Sequence, residues 1–300
     1  MEKRKEMPRL GTRKLYELLH KDHIKVGRDE LFSLLRSNNL LVKRIRHRII
    51  TTNSKHWLKK YPNLIKGLEV IKPNKLLVGD ITYVGVGKSY AYLFLLTDAY
   101  SHKIVGHCLS QSLEAEGGIE ALEMALSNIA KKDRAGIIHH SDRGVQYCCA
   151  KYTKLLQENQ VQISMTQNGD PYDNAIAERV NGILKVEWIY HEHYDSLEEA
   201  KKRIAEIIDI YNTKRPHLSC DMLTPEEAHT KEGKLNKRWK NYYMENFIKK
   251  RFSKASDECM LKKAEESSPA YAIVSDYSLI GCSSAEPISA SSDNANLKKV

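Results

Sequence analysis

The sequence predicts an α/β protein, a mixed five-stranded sheet with flanking helices, preceded by a small helical domain of helix-turn-helix type. Three observations carry that reading. Near residue 76 the apolar spacing changes from the three-to-four-residue repeat of helices to short runs rich in Leu, Ile, Val and Tyr. From there the pattern runs strand, strand, strand, helix, strand, helix, strand, helix, an order that joins an antiparallel meander to further strands through helical crossovers. Positive charge is concentrated before the change: residues 1–66 hold 18 Lys and Arg against 6 Asp and Glu, while the whole chain nets +10.

The N-terminal elements come from helical periodicity. TRKLYELLH (12–20) places Leu15, Leu18 and Leu19 on one helix face, and RDELFSLLRSNN (28–39) does the same with Leu31, Leu34 and Leu35 after a connection containing Gly27. With LLVKRIRHR behind them they read as a helix-turn-helix with a basic tail, residues 1–50, in which Arg28, Lys43, Arg44, Arg46 and Arg48 are candidate DNA contacts. A hairpin used only for packing, or an RNA-binding arm, stays open as an alternative. Residues 51–75, polar and basic with Pro62 and Pro73, read as a linker.

The core, 76–230, opens with strands at LLVGDITYV (76–84), YAYLFLLTDA (90–99) and KIVGHCLS (103–110), the first turn being a hairpin around Gly85–Ser89. A broad apolar face predicts a helix over Leu113–Lys131, followed by a strand at AGIIHHSD (135–142), a short helix over Lys151–Asn159 and a fifth strand at VQISMT (161–166). The polar loop QNGDPYDN leads into a helix over Ala175–Tyr190. Ser196–Tyr211 is an amphipathic helix with acids at its start, and Thr224–Ala228 opens a further short one. Residues 231–254 mix bases with aromatics, and 255–300, rich in Ser and Ala, are expected to be disordered.

Composition narrows the class. A hydrophobic share of 41% is enough for a packed core. No apolar run approaches a membrane span and the N-terminus lacks the apolar middle of a secretion signal, so a cytoplasmic protein with no membrane partner is expected. Of six cysteines none forms a C-x-x-C pair and none precedes Cys108, which argues for reduced thiols over a disulfide framework or a zinc knuckle. The basic N-terminal segment points to nucleic acid as the partner.

Three acids stand out against that background. Asp80 interrupts a strand-like run, where an unpaired carboxylate is poor packing material; Asp142 ends another; Glu178 lies just inside a helical pattern. If the first and fourth strands are parallel neighbours, Asp80 and Asp142 project into one crevice, and a short lead-in loop brings Glu178 to it. Oxygen ligands of this kind suit Mg²⁺ or Mn²⁺, and a pair of such ions can serve an in-line displacement at a phosphodiester. Spacing alone is weak evidence in a chain with 38 acidic residues.

The flanking sequence is more specific. DIT (80–82), HSDRGVQY (140–147), NAIAERVNGILKVE (174–187) and YNTKRPH (211–217) occur in order, and the stretch from Pro8 to Glu227 resembles bacterial insertion-sequence transposases of the Asp-Asp-Glu type, the group whose second open-reading-frame product is similar to retroviral integrase. The resemblance implies a ribonuclease-H-like core, and strand cleavage and transfer at element ends that depends on Mg²⁺ or Mn²⁺. It makes Asp80, Asp142 and Glu178 the catalytic and metal-binding positions, with DNA as partner at element ends and target. It also implies assembly of a homo-oligomer on DNA and leaves open a separate upstream DNA-binding subunit. Glu187 is then a helix residue near the site, not a ligand, and Asp98 a turn-capping acid. Arg143 and Lys185 are further candidate DNA contacts, each weighed against a plain ion pair or a solvated side chain, and His140 reads as a hydrogen-bonded strand histidine. Asn168, Asn174 and Asn181 are expected to shape the loop and its cap. A catalytically silent DNA-binding protein from a decayed element is the alternative function.

Overall fold

The computed structural model describes residues 2–42, 56–167 and 174–238. The chain divides into two units, Met1–Trp239 and Lys240–Val300, and every described residue belongs to the first. The expected contacts Lys43, Arg44, Arg46 and Arg48, loop residue Asn168 and the segments from 239 onward lie outside the described residues.

Five strands form one sheet: β1 (Leu76–Val86), β2 (Ser89–Asp98), β3 (Ile104–Ser110), β4 (Ile138–Ser141) and β5 (Gln162–Met165), in the order β3-β2-β1-β4-β5. β1, β2 and β3 pair antiparallel as the expected meander, and β4 and β5 add in parallel beside β1. The hairpin is tighter than the sequence predicts. Val86 pairs with Ser89, which leaves a two-residue turn at 87 and 88.

Side-chain alternation along the strands sends two apolar sets to opposite faces. On one face Phe94 and Leu96 meet α4 (Ala115–Ser127), α5 (Val145–Cys148) and α6 (Ala150–Glu158) through Leu122, Tyr147 and Tyr152. On the other face Leu93 and Leu95 meet α7 (Ala175–Glu187) and α8 (Leu197–Thr213) through Val180, Leu184, Ile207 and Tyr211. The same cluster takes in Leu15 and Leu18 of α2 (Thr12–Lys21) and Leu31 and Leu35 of α3 (Arg28–Ser37). The expected N-terminal helices are present, and Leu15, Leu18, Leu31 and Leu35 are buried as the spacing assigns, with Leu19 partly so, but Leu34 is 56% exposed and does not join the packed face. A short α1 (Glu2–Glu6) precedes them, and α9 (Pro225–His229), capped by Thr224, follows α8.

Two helices end earlier than their apolar pattern. α4 stops at Ser127, whose Oγ, with Asn128 Nδ2, donates to the Met124 carbonyl, so local side chains satisfy the last turn. α7 stops at Glu187 because Trp188 turns into the core and its Nε1 donates to the Glu6 carbonyl at 2.8 Å. Asp98 is the turn-capping acid expected: Oδ1 accepts from the Ser101 amide and hydroxyl, and Oδ2 from the Asn74 amide.

β3 and α4 approach so closely that only glycine fits between them. A β-carbon on Gly106 would lie 2.0 Å from the Ala121 carbonyl oxygen, a backbone atom that cannot swing aside. Gly106→Ala is therefore expected to lower stability by about 3 kcal/mol, at the upper end of overpacking costs; a denaturant midpoint equal to that of the wild type would contradict this packing.

Candidate carboxylate site

Strand register sets the first two acids side by side. The parallel pairs Leu76–Ile138, Leu77–His139 and Val78–His140 each differ by 62 in number, as do Asp80 and Asp142, the latter one residue past the end of β4. Asp80 is half-buried on the strand face turned toward α7, where Asn181 Nδ2 donates to its Oδ2 at 2.6 Å and the Ile81 amide to its Oδ1 at 2.9 Å. Asp142 Oδ1 accepts from the Gly144 amide at 2.9 Å, a bond that holds the loop leading into α5. Glu178 stands exposed in the first turn of α7, its amide bonded to the Asn174 carbonyl.

Electrostatics ties the three together. Burial pushes the Asp80 carboxyl up to about 7, against the Asn181 hydrogen bond, and the charges of Asp142 and Glu178 push the same way. The Glu178 carboxyl is also raised, by burial first and by Asp142 next. Among the described residues no three His, Cys, Asp or Glu side chains are grouped tightly enough to hold a metal ion by themselves. The arrangement is an open crevice in which neighbouring acids raise the Asp80 and Glu178 carboxyls, and not a closed cage.

Aromatic packing backs β1 on the sheet face opposite the Asp80 side chain. Gly79, beside Asp80, faces the rings of His139 and Tyr147, and a β-carbon there would come within 3.2 Å of His139 Nε2. His139 meets Tyr152 Oη at 2.9 Å, and burial drops its pKa to about 3, so it stays neutral. His140 is the hydrogen-bonded strand histidine expected, with Nδ1 2.8 Å from Ser164 Oγ.

The other candidates fall at varied distances from this crevice. Lys185 is half-buried over the Tyr190 ring, 6.0 Å from its centroid; burial lowers its pKa and the charge of Asp80 opposes that. Arg143 donates through Nε to the Thr166 carbonyl, and its own carbonyl is 2.7 Å from His56 Nε2. Arg28 is exposed and pairs with its neighbour Asp29. Glu187 lies away from the crevice in a two-bond pair with Arg215. Sequence reasoning undervalued Asn174 and Asn181: Asn174 Nδ2 donates to the Gly79 carbonyl, so both bind α7 to β1. The signal was their spacing from Glu178, which places 174, 178, 181 and 185 along one helix face.

The sheet and its acid-bearing crevice define a class, the integrase-type core, and two stretches match the family described as Integrase core domain, residues 71–171 and 159–225. The chain belongs to the insertion-sequence transposases that carry this core. It is 37% identical over 217 residues to the insertion element IS600 uncharacterized 31 kDa protein of Shigella sonnei, covering 72% of this chain and 79% of that one. It is 31% identical over 221 residues to the transposase for insertion sequence element IS904 of Lactococcus lactis, covering 73% and 87%. Among solved structures, the HTLV-2 integrase catalytic core domain in complex with magnesium aligns over 53% of this chain and 97% of that chain at 17% identity, with a TM-score of 0.41. No helix among the described residues is long and apolar enough to cross a membrane.

The raised Asp80 pKa has a measurable consequence. Its folded value, about 7, exceeds the ordinary 3.8, so the folded chain holds this proton more tightly than the unfolded chain. That contribution to stability is complete below the unfolded value and is lost as pH rises through about 7. In chelator-containing buffer, thermal melts from about pH 5 to 8 are expected to show a falling component that Asp80→Asn removes. Parallel pH profiles for the two proteins would rule it out.

Proposed function

We propose that the protein is a DNA transposase that cleaves one strand at the ends of its element and joins the freed 3′-hydroxyl to a target phosphodiester, with Asp80, Asp142 and Glu178 as its catalytic, metal-binding acids. The observation that carries the reading is the shared register of Asp80 and Asp142 beside the Glu178-bearing turn of α7. Family membership supports the general chemistry, a polynucleotidyl transfer.

The donor set fits a hard divalent cation. All three side chains offer carboxylate oxygens, and Asp80 is held near neutrality by burial and by its two acidic neighbours, a cost that positive charge would relieve. Mg²⁺ commonly takes only one or two carboxylates, with water and substrate phosphate completing its shell, so an open crevice suits it better than a cage. Bound there as a pair, Mg²⁺ or Mn²⁺ supplies activation of the attacking oxygen and stabilisation of the leaving one. The chain's own residues do the remaining work. Asn181 fixes the orientation of the Asp80 carboxylate, Asn174 fixes the start of α7, and Lys185 offers its ammonium to a phosphate of the DNA backbone. Arg143, with Arg28, Lys43, Arg44, Arg46 and Arg48 of the N-terminal region, would hold more of the backbone, and two element ends held together call for a homo-oligomer on DNA.

Supercoiled DNA carrying the element ends, incubated with the protein and Mg²⁺, should give nicked, joined or circular products. Asp142→Asn should abolish them while DNA binding persists, and unchanged products from that variant would defeat the proposal. Asn181→Ala should slow cleavage by about 10- to 100-fold, the usual effect of losing a group that orients a metal ligand.

A further inference from the structure

α7 carries an acid at each end, and the two face opposite ways. Glu178 and Glu187 are nine residues apart, two and a half helical turns, so they project from opposite sides of the helix about 13.5 Å apart along its axis. Arg215 reaches Glu187 from the turn after α8 and binds both carboxylate oxygens, Nε to Oε2 at 2.8 Å and Nη2 to Oε1 at 2.7 Å. The Arg215 side chain is 0% exposed and that of Glu187 12%.

Arg215 is itself held on the sheet. Its Nη1 donates to His217 Nε2 at 2.9 Å, and its guanidinium carbon lies 5.7 Å from the Tyr211 ring centroid. The His217 ring stacks on His102, 5.3 Å between centroids and 10° between planes, and Tyr211 Oη donates to the His102 carbonyl at 2.9 Å. His102 belongs to the turn that joins β2 to β3, and its amide bonds to the Asp98 carbonyl. A continuous polar chain thus runs from the edge of the sheet through Arg215 to the far end of the helix that bears Glu178.

We propose that the Arg215–Glu187 pair is a positioning device for the carboxylate site: it locks the rotation and axial register of α7 so that Glu178 stays aligned with Asp80 and Asp142. The inference rests on the function proposed above and extends it to residues that touch neither DNA nor metal. Rotation is the quantity that needs fixing. A one-residue slip of α7 turns it by about 100°, which would carry Glu178 out of the crevice. Apolar packing of Val180, Ile183 and Leu184 resists separation but tolerates small rotations, whereas a planar two-bond fork is directional. Buried ion pairs add little net stability over well-packed apolar residues of similar volume, so stability alone does not account for burying this one.

The Glu187→Leu/Arg215→Met double variant tests the idea in the full-length protein, because it keeps the volume and removes the fork without leaving either member of the pair buried without the other. It should fold, cleave a pre-assembled element-end substrate about 10- to 100-fold more slowly, and require more Mg²⁺ or Mn²⁺ for half-maximal rate. The rise in melting temperature that Mn²⁺ gives the DNA-free wild type should shrink in the variant. Wild-type rates and an undiminished Mn²⁺ response would overturn the proposal. If the double variant does not fold, Arg215→Lys, which keeps the charge and loses the fork, decides: partial activity with a raised metal requirement supports positioning, and wild-type behaviour overturns it. The Mn²⁺ melt separates this inference from the function itself, since it reads metal binding even if the wild type cleaves no DNA.

Discussion

The parallel pairing of β1 with β4 is the constraint on which the site depends. Three backbone-paired positions fix the offset, and that offset brings Asp80 and Asp142 together just past the last pair. Because side chains alternate, a slip of one residue would turn Asp80 toward the aromatic group on the other face and away from α7. The register is guarded on both faces. Leu77 belongs to the cluster shared with α4 and α6, while Leu76 and Val78 pack with Ala177 at the start of α7. Close approach between β3 and α4 at Gly106 holds the rest of the meander against its covering helix. The geometry of two carboxylates is thus inherited from apolar packing that extends across the sheet.

α7 converts that sheet geometry into a three-acid site. Its inner face is joined to β1 by the two asparagine amides, one to the Gly79 carbonyl and one to Asp80 itself, while its apolar residues join the opposite cluster with α8. Buried hydrogen bonds of this kind add modest net stability but are costly to leave unmade, so they select one orientation more than they strengthen the fold. The N-terminal helices α2 and α3 share that apolar cluster, and the Trp188–Glu6 bond ties α1 to the residue after α7.

Much of this was legible in the sequence because it is written in local patterns. Period-two runs fix five strands, and Asp80 and Asp142 are visible as charges placed where such runs should be apolar or ending. Glu178 is visible as the acid opening a helix. What escaped was long-range or short. α1 and α5, at five and four residues, span too little chain to show a helical period. The early end of α7 depends on Trp188 finding the carbonyl of Glu6, 182 positions away, and no local signal encodes that. Asn181 was legible as a residue on the Glu178 face, but its bond to Asp80 joins elements 101 positions apart. The Glu187–Arg215 pair is the same kind of case: each half sits in a recognisable motif, and only the fold shows that the motifs meet.

Opposite net shifts separate the acid that the fold pairs from those of the crevice. Burial raises the carboxyls of both Asp80 and Glu187. At Glu187 the Arg215 guanidinium outweighs it, with Lys14 and Arg179 adding to the effect, and the net shift is downward. At Asp80 the hydrogen bonds from the Asn181 amide and the Ile81 backbone do not outweigh burial, and the neighbouring acids add to the penalty, so the net shift is upward, as it is at Glu178. α7 thus carries one acid held in a buried arginine fork and, two and a half turns away, one whose carboxyl is raised. Lys185, on the Glu178 side of α7, is near enough for the Asp80 charge to act on its ammonium, yet the Asp80 carboxyl stays raised. The charge pattern thus separates Glu178 from Glu187 on the same helix, which the spacing of acids in the sequence could not do alone.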